Sequence, residues 1–349
     1  MLPPYRLVSL SAALHYRIWP LDQGHWTIGR PGRRPNAVAL EGSSVSRAHA
    51  CLEIADKVEL FAEAAGALTA VNGQRLEAGQ RQELRPNDMI QIGDLLFRWE
   101  RAETAPQQGE GTLRLGFLGR PSVVLAGAPE SEVIFRNENA RSLLFWLVAC
   151  RGASLAVERI TEEFWPERPD LRQRKNLSHI LRAMQGELGW SADSFERWID
   201  RRAETIALRP EAIEVCDLWT LQDAIRQSGP PRAMAELLSL HPGPLLPHAR
   251  QRWAKALRDE LFMGWLGLLN RCQPNDQELP RLGALLTACL RDGDFEEFVY
   301  LETFRLSARF GLSAMIALWL SELKDALRTM GDEPSQELLS QATRWSQSP

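Results

Sequence analysis

The sequence predicts a multidomain chain: an all-β sandwich, then a winged helix-turn-helix, then an all-α, TPR-like helical-repeat domain. Three observations predict it. The first hundred residues run in short alternating or apolar stretches (HWTIG, HACLEI, KVELFA, DMIQIGDLLFRW) separated by turn signals such as Asn72-Gly73 and Pro86-Asn87-Asp88. A strand-like TLRLGFLGRPSVVLAG then gives way to three helical segments and a hairpin-like ERWIDRRAETIALRP. From about residue 216 onward only helical periodicity remains.

Residues 1–100 make the sandwich, whose short, evenly punctuated strands suit two facing sheets. Residues 101–111, RAETAPQQGEG, lack apolar periodicity and collect Gln, Glu, Gly and Pro, which marks a linker. In the central domain, 112–210, ENARSLLFWLVACRG and LAVERITEEFWPE supply two helices, and a third runs from about Asp170 to Gly189. The helical domain, 211–349, has periodic segments near 231–240, 248–271, 277–291, 294–309, 312–330 and 335–346. Short loops between them predict antiparallel pairs, although no 34-residue self-match stands out.

Composition narrows the function. With 44% hydrophobic and 25% charged residues the chain is ordinary globular protein, and it has no run of eighteen apolar residues and no basic-then-apolar leader. A soluble cytoplasmic protein without a membrane partner is expected. Five scattered cysteines, none in a C-x-x-C pair, suggest neither a disulfide framework nor a zinc knuckle. The net charge of -4 is uneven: residues 111–210 carry 15 Lys and Arg against 13 Asp and Glu, and residues 211–349 carry 14 against 19. A nucleic-acid surface must therefore come from local clustering.

Projected at about 100° per residue, the third helix places Leu177, Ile180, Leu181, Met184 and Leu188 along one face. Arg172, Lys175, His179 and Arg182 occupy the opposite face, flanked by Arg174 and Asn176. An apolar side that docks and a basic side that meets DNA are what a recognition helix needs. Arg201 and Arg202 fall near the hairpin tip, within reach of a neighbouring phosphate. A solvated amphipathic helix would show the same alternation. The acidic cluster Glu158, Glu162, Glu163 and Glu167 precedes this helix and is expected to point away from the DNA.

Two resemblances sharpen these readings. IGR, SVSRAHA, VNGQRL and NDMIQIGDLLFRW follow one another in the order and spacing of the forkhead-associated (FHA) family, which residues 5–100 resemble. That resemblance implies loops at one end of a sandwich that read a phosphothreonine peptide, with Arg30, Ser46, Arg47 and Thr69 at the ligand and His49 and Asn72 structural beside it. Physically, Arg30 offers a planar fork of donors to a phosphate, Ser46 a hydroxyl and Arg47 a second cation. One departure weakens the site: where the family's Ser-x-Asn-Gly-Thr should fall, the chain reads Ala65-Gly66-Ala67-Leu68-Thr69. The peptide-gripping asparagine is alanine, a loss of about 1 kcal/mol net. The expectation is a weak or altered phosphopeptide reader, or a docking module for an unphosphorylated partner.

RITEEFWPERPDLRQRKNLSHILRAMQGELG, ETIALRPEAIEVCDLWTL, SLHPGPLLPHARQRWAKALRDEL and ARFGLSAMIALWLSELKDALRTMGDEPSQEL resemble the Streptomyces antibiotic regulatory protein family, with its bacterial transcriptional activator domain, over about residues 112–345. Trp165-Pro166, Asp217, the Gly243-Pro244-Leu245-Leu246 turn and Gly331 through Ser335 stand in the family's places, whereas Glu204-Thr205-Ile206 replaces its usual glycine-tyrosine pair. The resemblance implies duplex DNA as a ligand and, for the helical part, dimer formation and contact with RNA polymerase.

No P-loop and no G-x-S-x-G elbow occur, and the histidines never pair at metal spacing. His241 and His248, seven apart around a Pro-Gly-Pro turn, suit a loop role. Neither catalytic residue, metal nor cofactor is expected. Two readings remain: a transcription regulator with a phosphopeptide-sensing module, or a non-DNA-binding adaptor whose FHA-like and helical domains are docking surfaces.

Overall fold

A computed structural model describes residues 5–11, 14, 17–32, 35–101, 111–126, 131–166, 171–227, 232–247, 249–292 and 295–347. The linker assigned to 101–111 lies almost wholly outside them. Strands β1 (Tyr5–Ser9), β2 (Ile18–Leu21), β3 (Gly24–Gly29), β4 (Val38–Ala39), β5 (Ala50–Ile54), β6 (Val58–Ala62), β7 (Thr69–Val71), β8 (Gln74–Leu76), β9 (Arg81–Glu83), β10 (Met89–Ile92) and β11 (Leu95–Arg101) build a sandwich. One sheet runs β2-β1-β11-β10-β7-β8 and the other β4-β3-β5-β6-β9. Because side chains alternate faces along a strand, Leu7, Trp19, Ile90, Ile92, Phe97 and Trp99 of the first sheet meet Ile28, Leu52 and Leu60 of the second in one core. Asn72 and Gly73 both take positive φ, the geometry of the tight turn that joins β7 to β8.

The other face of the first sheet is also buried. Val8, Ile18, Met89 and Leu96 belong to a second, larger core that runs through the rest of the chain.

That larger core begins with β12 (Leu113–Gly116), β13 (Ser122–Leu125), β14 (Ser131–Glu132), α1 (Glu138–Ala149), β15 (Leu155–Ala156), α2 (Val157–Phe164), α3 (Leu171–Glu187), α4 (Ala192–Trp198), β16 (Ile199–Arg201), β17 (Thr205–Leu208) and β18 (Ile213–Cys216). α1 starts at Asn137, whose side chain accepts from the Ala140 amide at 3.0 Å. Glu187, ending α3, accepts from the Asn137 amide at 3.0 Å, which ties the third helix to the first. The short α4, capped by Ser191 through the Ser194 amide, occupies part of the stretch that the alternation predicts as hairpin. β16 and β17 still pair as a hairpin, with β15 on the outer side of β17.

β12, β13 and β14 form an antiparallel sheet to which β18 adds in parallel beside β12. Residues 213–216 therefore share a sheet with 113–116, beyond the 112–210 span assigned from sequence. The pairing sets Arg114 against Glu214 with Nε 2.8 Å from Oε2, both side chains under 5% exposed. Asp217 follows at once, its carboxylate accepting from the Phe117 and Leu118 amides at 2.8 and 3.1 Å.

Helices α5 (Asp217–Arg226), α6 (Met234–Leu240), α7 (Arg252–Leu269), α8 (Leu279–Asp292), α9 (Glu297–Arg309), α10 (Ser313–Met330) and α11 (Gln336–Ser346) complete the chain. α6 lies on the sandwich at β11, and Gln91 of β10 donates to the Ser239 hydroxyl of α6 at 3.4 Å. Gly331 closes α10 in the left-handed conformation, and Ser335 caps α11 through the Leu338 amide. Aromatic pairs fill the interior: Phe262 stacks on Phe295, and Phe304 on Trp319. His241, in the loop that follows α6 and leads into the Pro-Gly-Pro turn, is buried in this core with its ring 4.6 Å from that of Trp265 and 5.9 Å from that of Phe262. The α6 helix ends there and turns the ring inward. His248 lies outside the described residues. Among them no helix is long and apolar enough to cross a membrane, and the five cysteines are unpaired.

Candidate functional site

At one end of the sandwich three loops are tied into a single surface. β3 ends at Gly29, where a Cβ would overlap the Arg47 carbonyl, so the backbone after β3 and the loop before β5 touch directly. Arg30 follows, its amide donating to the Ser46 carbonyl at 2.9 Å. Asn36 clamps both loops, its amide nitrogen donating to the Arg30 and Arg47 carbonyls at 3.0 and 2.7 Å. The Ser44 hydroxyl engages the Asp94 carboxylate and accepts from the Asp94 amide, holding the loop to the β10–β11 turn.

His49 is fully buried beneath these loops. Its Nδ1 accepts from the Ser46 amide at 3.0 Å, and its Nε2 faces the Leu68 carbonyl at 3.1 Å. That pair of partners fixes the tautomer with the proton on Nε2. Burial lowers its pKa, opposed by the bond to Leu68, so the ring is a neutral brace between the Ser46 loop and the segment before β7. Its backbone oxygen also accepts from Glu63 and Ala64.

On this frame Arg30 and Arg47 are exposed and Ser46 half-buried, so two guanidinium groups and a hydroxyl share one rim. Thr69 is fully buried at the start of β7, with its hydroxyl unpartnered. It lies beneath the surface. Ala67 and Leu68, where an Asn-Gly pair was expected, are half-buried, and neither side chain can donate a hydrogen bond. Asn72 is not at this rim. It sits at the far end of β7, where its side chain donates to Asp88 at 2.8 Å and accepts from the Met89 amide at 2.9 Å. There the Asn72-Gly73 turn abuts Ala233 and Glu236 beside α6. Asn36, Ser44 and Asp94 escaped the sequence reading because their roles depend on long-range loop contacts; Gly29 was visible within IGR.

The second candidate surface is α3. Leu177, Ile180, Leu181, Met184 and Leu188 are all buried, and Lys175, His179 and Arg182 are exposed on the opposite side. The side chains of Arg172 and Arg174 lie outside the described residues. Arg201 of the hairpin reaches α3, its guanidinium 3.1 Å from the Ser178 hydroxyl, while Arg202 pairs with Asp200 at 3.0 Å in the open. Of the acidic cluster, Glu158 and Glu162 are exposed, Glu163 accepts from the Arg252 amide at the start of α7 at 2.6 Å, and Glu167 lies outside the described residues. Among the described residues no group of three or more His, Cys, Asp or Glu is placed to hold a metal.

Residues 26–93 match the FHA domain family. Similar solved structures include the FhaA FHA domain complexed with the intracellular domain of Rv3910 (22% identity, 28% of this chain and 99% of that one, TM-score 0.24). They also include the FHA domain of the CT664 protein from Chlamydia trachomatis (23%, 28% and 96%, TM-score 0.25). A third is the N-terminal FHA domain of S. cerevisiae Rad53p in complex with a phosphothreonine peptide (20%, 29% and 94%, TM-score 0.25). No curated protein matches the chain.

Proposed function

We propose that this chain is a cytoplasmic transcription regulator in which the FHA domain reads a phosphothreonine-bearing partner and a winged helix formed by α1, α2, α3 and the β16–β17 hairpin binds duplex DNA. The observation that carries the first half is the rim of Arg30, Ser46 and Arg47 over a buried His49 inside the FHA match. The role is binding, not catalysis. Full-length protein is expected to prefer phosphothreonine over threonine peptides in a calorimetric or anisotropy titration. Arg30→Ala would weaken that preference by about 1.5–3 kcal/mol, the worth of hydrogen bonds to a charged group. Restoring Ala67→Asn with Leu68→Gly would strengthen it by about 1 kcal/mol. Equal binding of both peptides would refute phosphate reading.

Support for the DNA half comes from α3: its apolar face is consumed in packing, its basic face is open, and Arg201 buttresses that open face. Each phosphate neutralised contributes about 0.9 to the slope of log affinity against log salt. Binding to a duplex selected from a random pool should be salt-steep, and Lys175→Ala/Arg182→Ala should flatten the slope by up to about 2. The helical array would serve contacts with a second copy or with RNA polymerase, with Phe298 and Leu318 as exposed apolar groups available to it.

The adaptor reading gains from one observation, the Ala67-Leu68 pair. It requires that salt-steep, selective DNA binding be absent.

A further inference from the structure

On β10, Ile90 and Ile92 face the sandwich core, so Met89 and Gln91 face the seam with the larger core. Gln91 is only 3% exposed, and burying an amide is costly unless its donors are satisfied. Its Nε2 donates to the Gly93 carbonyl at 3.1 Å and, across the seam, to the Ser239 hydroxyl of α6 at 3.4 Å. Direction is fixed at both ends. A carbonyl can only accept, and the Ser239 hydroxyl already directs its proton to the Ala235 carbonyl at 2.9 Å.

Gly93 belongs to the frame of the phosphate rim. Its amide donates to the Leu68 carbonyl at 2.8 Å, the same carbonyl that faces His49 Nε2, while His49 Nδ1 takes the Ser46 amide. From the other side Ser44 lies directly on it: a Cβ on Gly93 would stand 2.5 Å from the Ser44 hydroxyl and 2.8 Å from the Ser44 carbonyl. No side chain intervenes to absorb a shift. The position of Gly93 therefore sets those of the Ser44–Ser46 loop and the Leu68 segment together.

The other end of Gln91 is anchored. Ser239 is buried, and two residues before it the Leu237 carbonyl accepts from the Trp265 indole of α7 at 3.0 Å. Gln91 thus runs from a fixed helix of the larger core to the underside of the rim.

We propose that Gln91 is a positioning residue for phosphopeptide binding, acting between Ser239 and Gly93, so that α6 is a working part of the reader. The inference rests on the phosphopeptide reading of the rim. Gln91 keeps Gly93, and with it the Ser44–Ser46 loop, in place before the phosphate arrives, and such pre-organisation raises affinity without any new contact to the ligand. Coupling between two sites is reciprocal, so an occupied rim holds α6 more tightly.

The test uses the full chain and a phosphothreonine peptide drawn from a degenerate library, with its threonine counterpart as control. Calorimetric affinities and thermal melts are compared for the parent, Gln91→Met, Ser239→Ala and the double variant. Gln91→Met is expected to weaken the phosphopeptide about three- to tenfold, and Ser239→Ala, which is remote from the rim, about two- to fivefold. Because Ser239 acts through Gln91, the double variant should bind no more weakly than Gln91→Met alone. A pair that only packs would lower the melting temperature and leave the ratio of phosphothreonine to threonine affinity unchanged. In the parent, bound phosphopeptide should slow hydrogen exchange of the α6 amides, and Gln91→Met should remove that protection. If the parent prefers the phosphopeptide yet Ser239→Ala binds it equally well, or α6 exchange ignores the peptide, the proposal is overturned while the phosphate reading stands. If the parent binds both peptides alike, the phosphate reading itself falls and this proposal with it.

Discussion

Glu214→Ala is expected to lower stability by about 3–5 kcal/mol, because it removes the carboxylate that faces the buried Arg114 guanidinium. The cost arises from breaking a buried ion pair. The Coulombic worth of the pair itself is small once desolvation of both groups is counted, so Arg114→Met/Glu214→Leu should lie within about 2 kcal/mol of the parent or above it. Urea unfolding at neutral pH, followed by circular dichroism, compares the single and double variants. A single-variant cost below about 1 kcal/mol would mean that water reaches the pair, contrary to the parallel β12–β18 packing that encloses it.

Acid should destabilise the helical part through His241. Burial pulls its pKa from 6.5 down to about 4, so the folded chain keeps the ring neutral where the unfolded chain protonates it. The unfolded state then binds more protons, and stability rises with pH. The contribution is complete above about pH 6.5 and drains away as pH falls toward 4, a loss of about 3 kcal/mol. Glu236 titrates in the opposite sense, since burial raises its pKa and acid relieves that penalty. The informative quantity is therefore a difference. Between pH 7.5 and 4, His241→Phe, which keeps an aromatic ring beside Phe262 and Trp265, should lose about 3 kcal/mol less than the parent in urea unfolding. Identical pH profiles would place solvent at the imidazole.

What the sequence revealed depended on range. The phosphate-facing motifs were legible because Arg30, Ser46, Arg47 and His49 lie close together in the chain, and Leu177 to Leu188 declared the buried side of α3 by helical period alone. Long-range contacts left weaker traces. Asn36 looks like any loop asparagine until the Arg30 and Arg47 carbonyls are seen around it. The family resemblance set Asn72 beside the phosphate rim, yet the three-residue strand β7 carries it to the opposite end. Nothing near Arg114 or Glu214 in the chain signals the other, since a two-residue period cannot register a partner a hundred positions away. One signal was present but unused: DMIQIGDLLFRW is apolar on both faces, whereas a strand with one wet face alternates.

That two-sided strand bears on what would happen if the chain were cut between residues 101 and 111. Val8, Ile18, Met89 and Leu96 are as much part of the larger core as of the sandwich, and Gln91 reaches across to Ser239. Proteolytic nicking there would leave two fragments gripping each other through an interior seam, and they should co-elute until denaturant parts them. Expressed alone, the sandwich would present its bare seam to solvent and be prone to clumping, so affinities taken from that fragment would describe a different molecule.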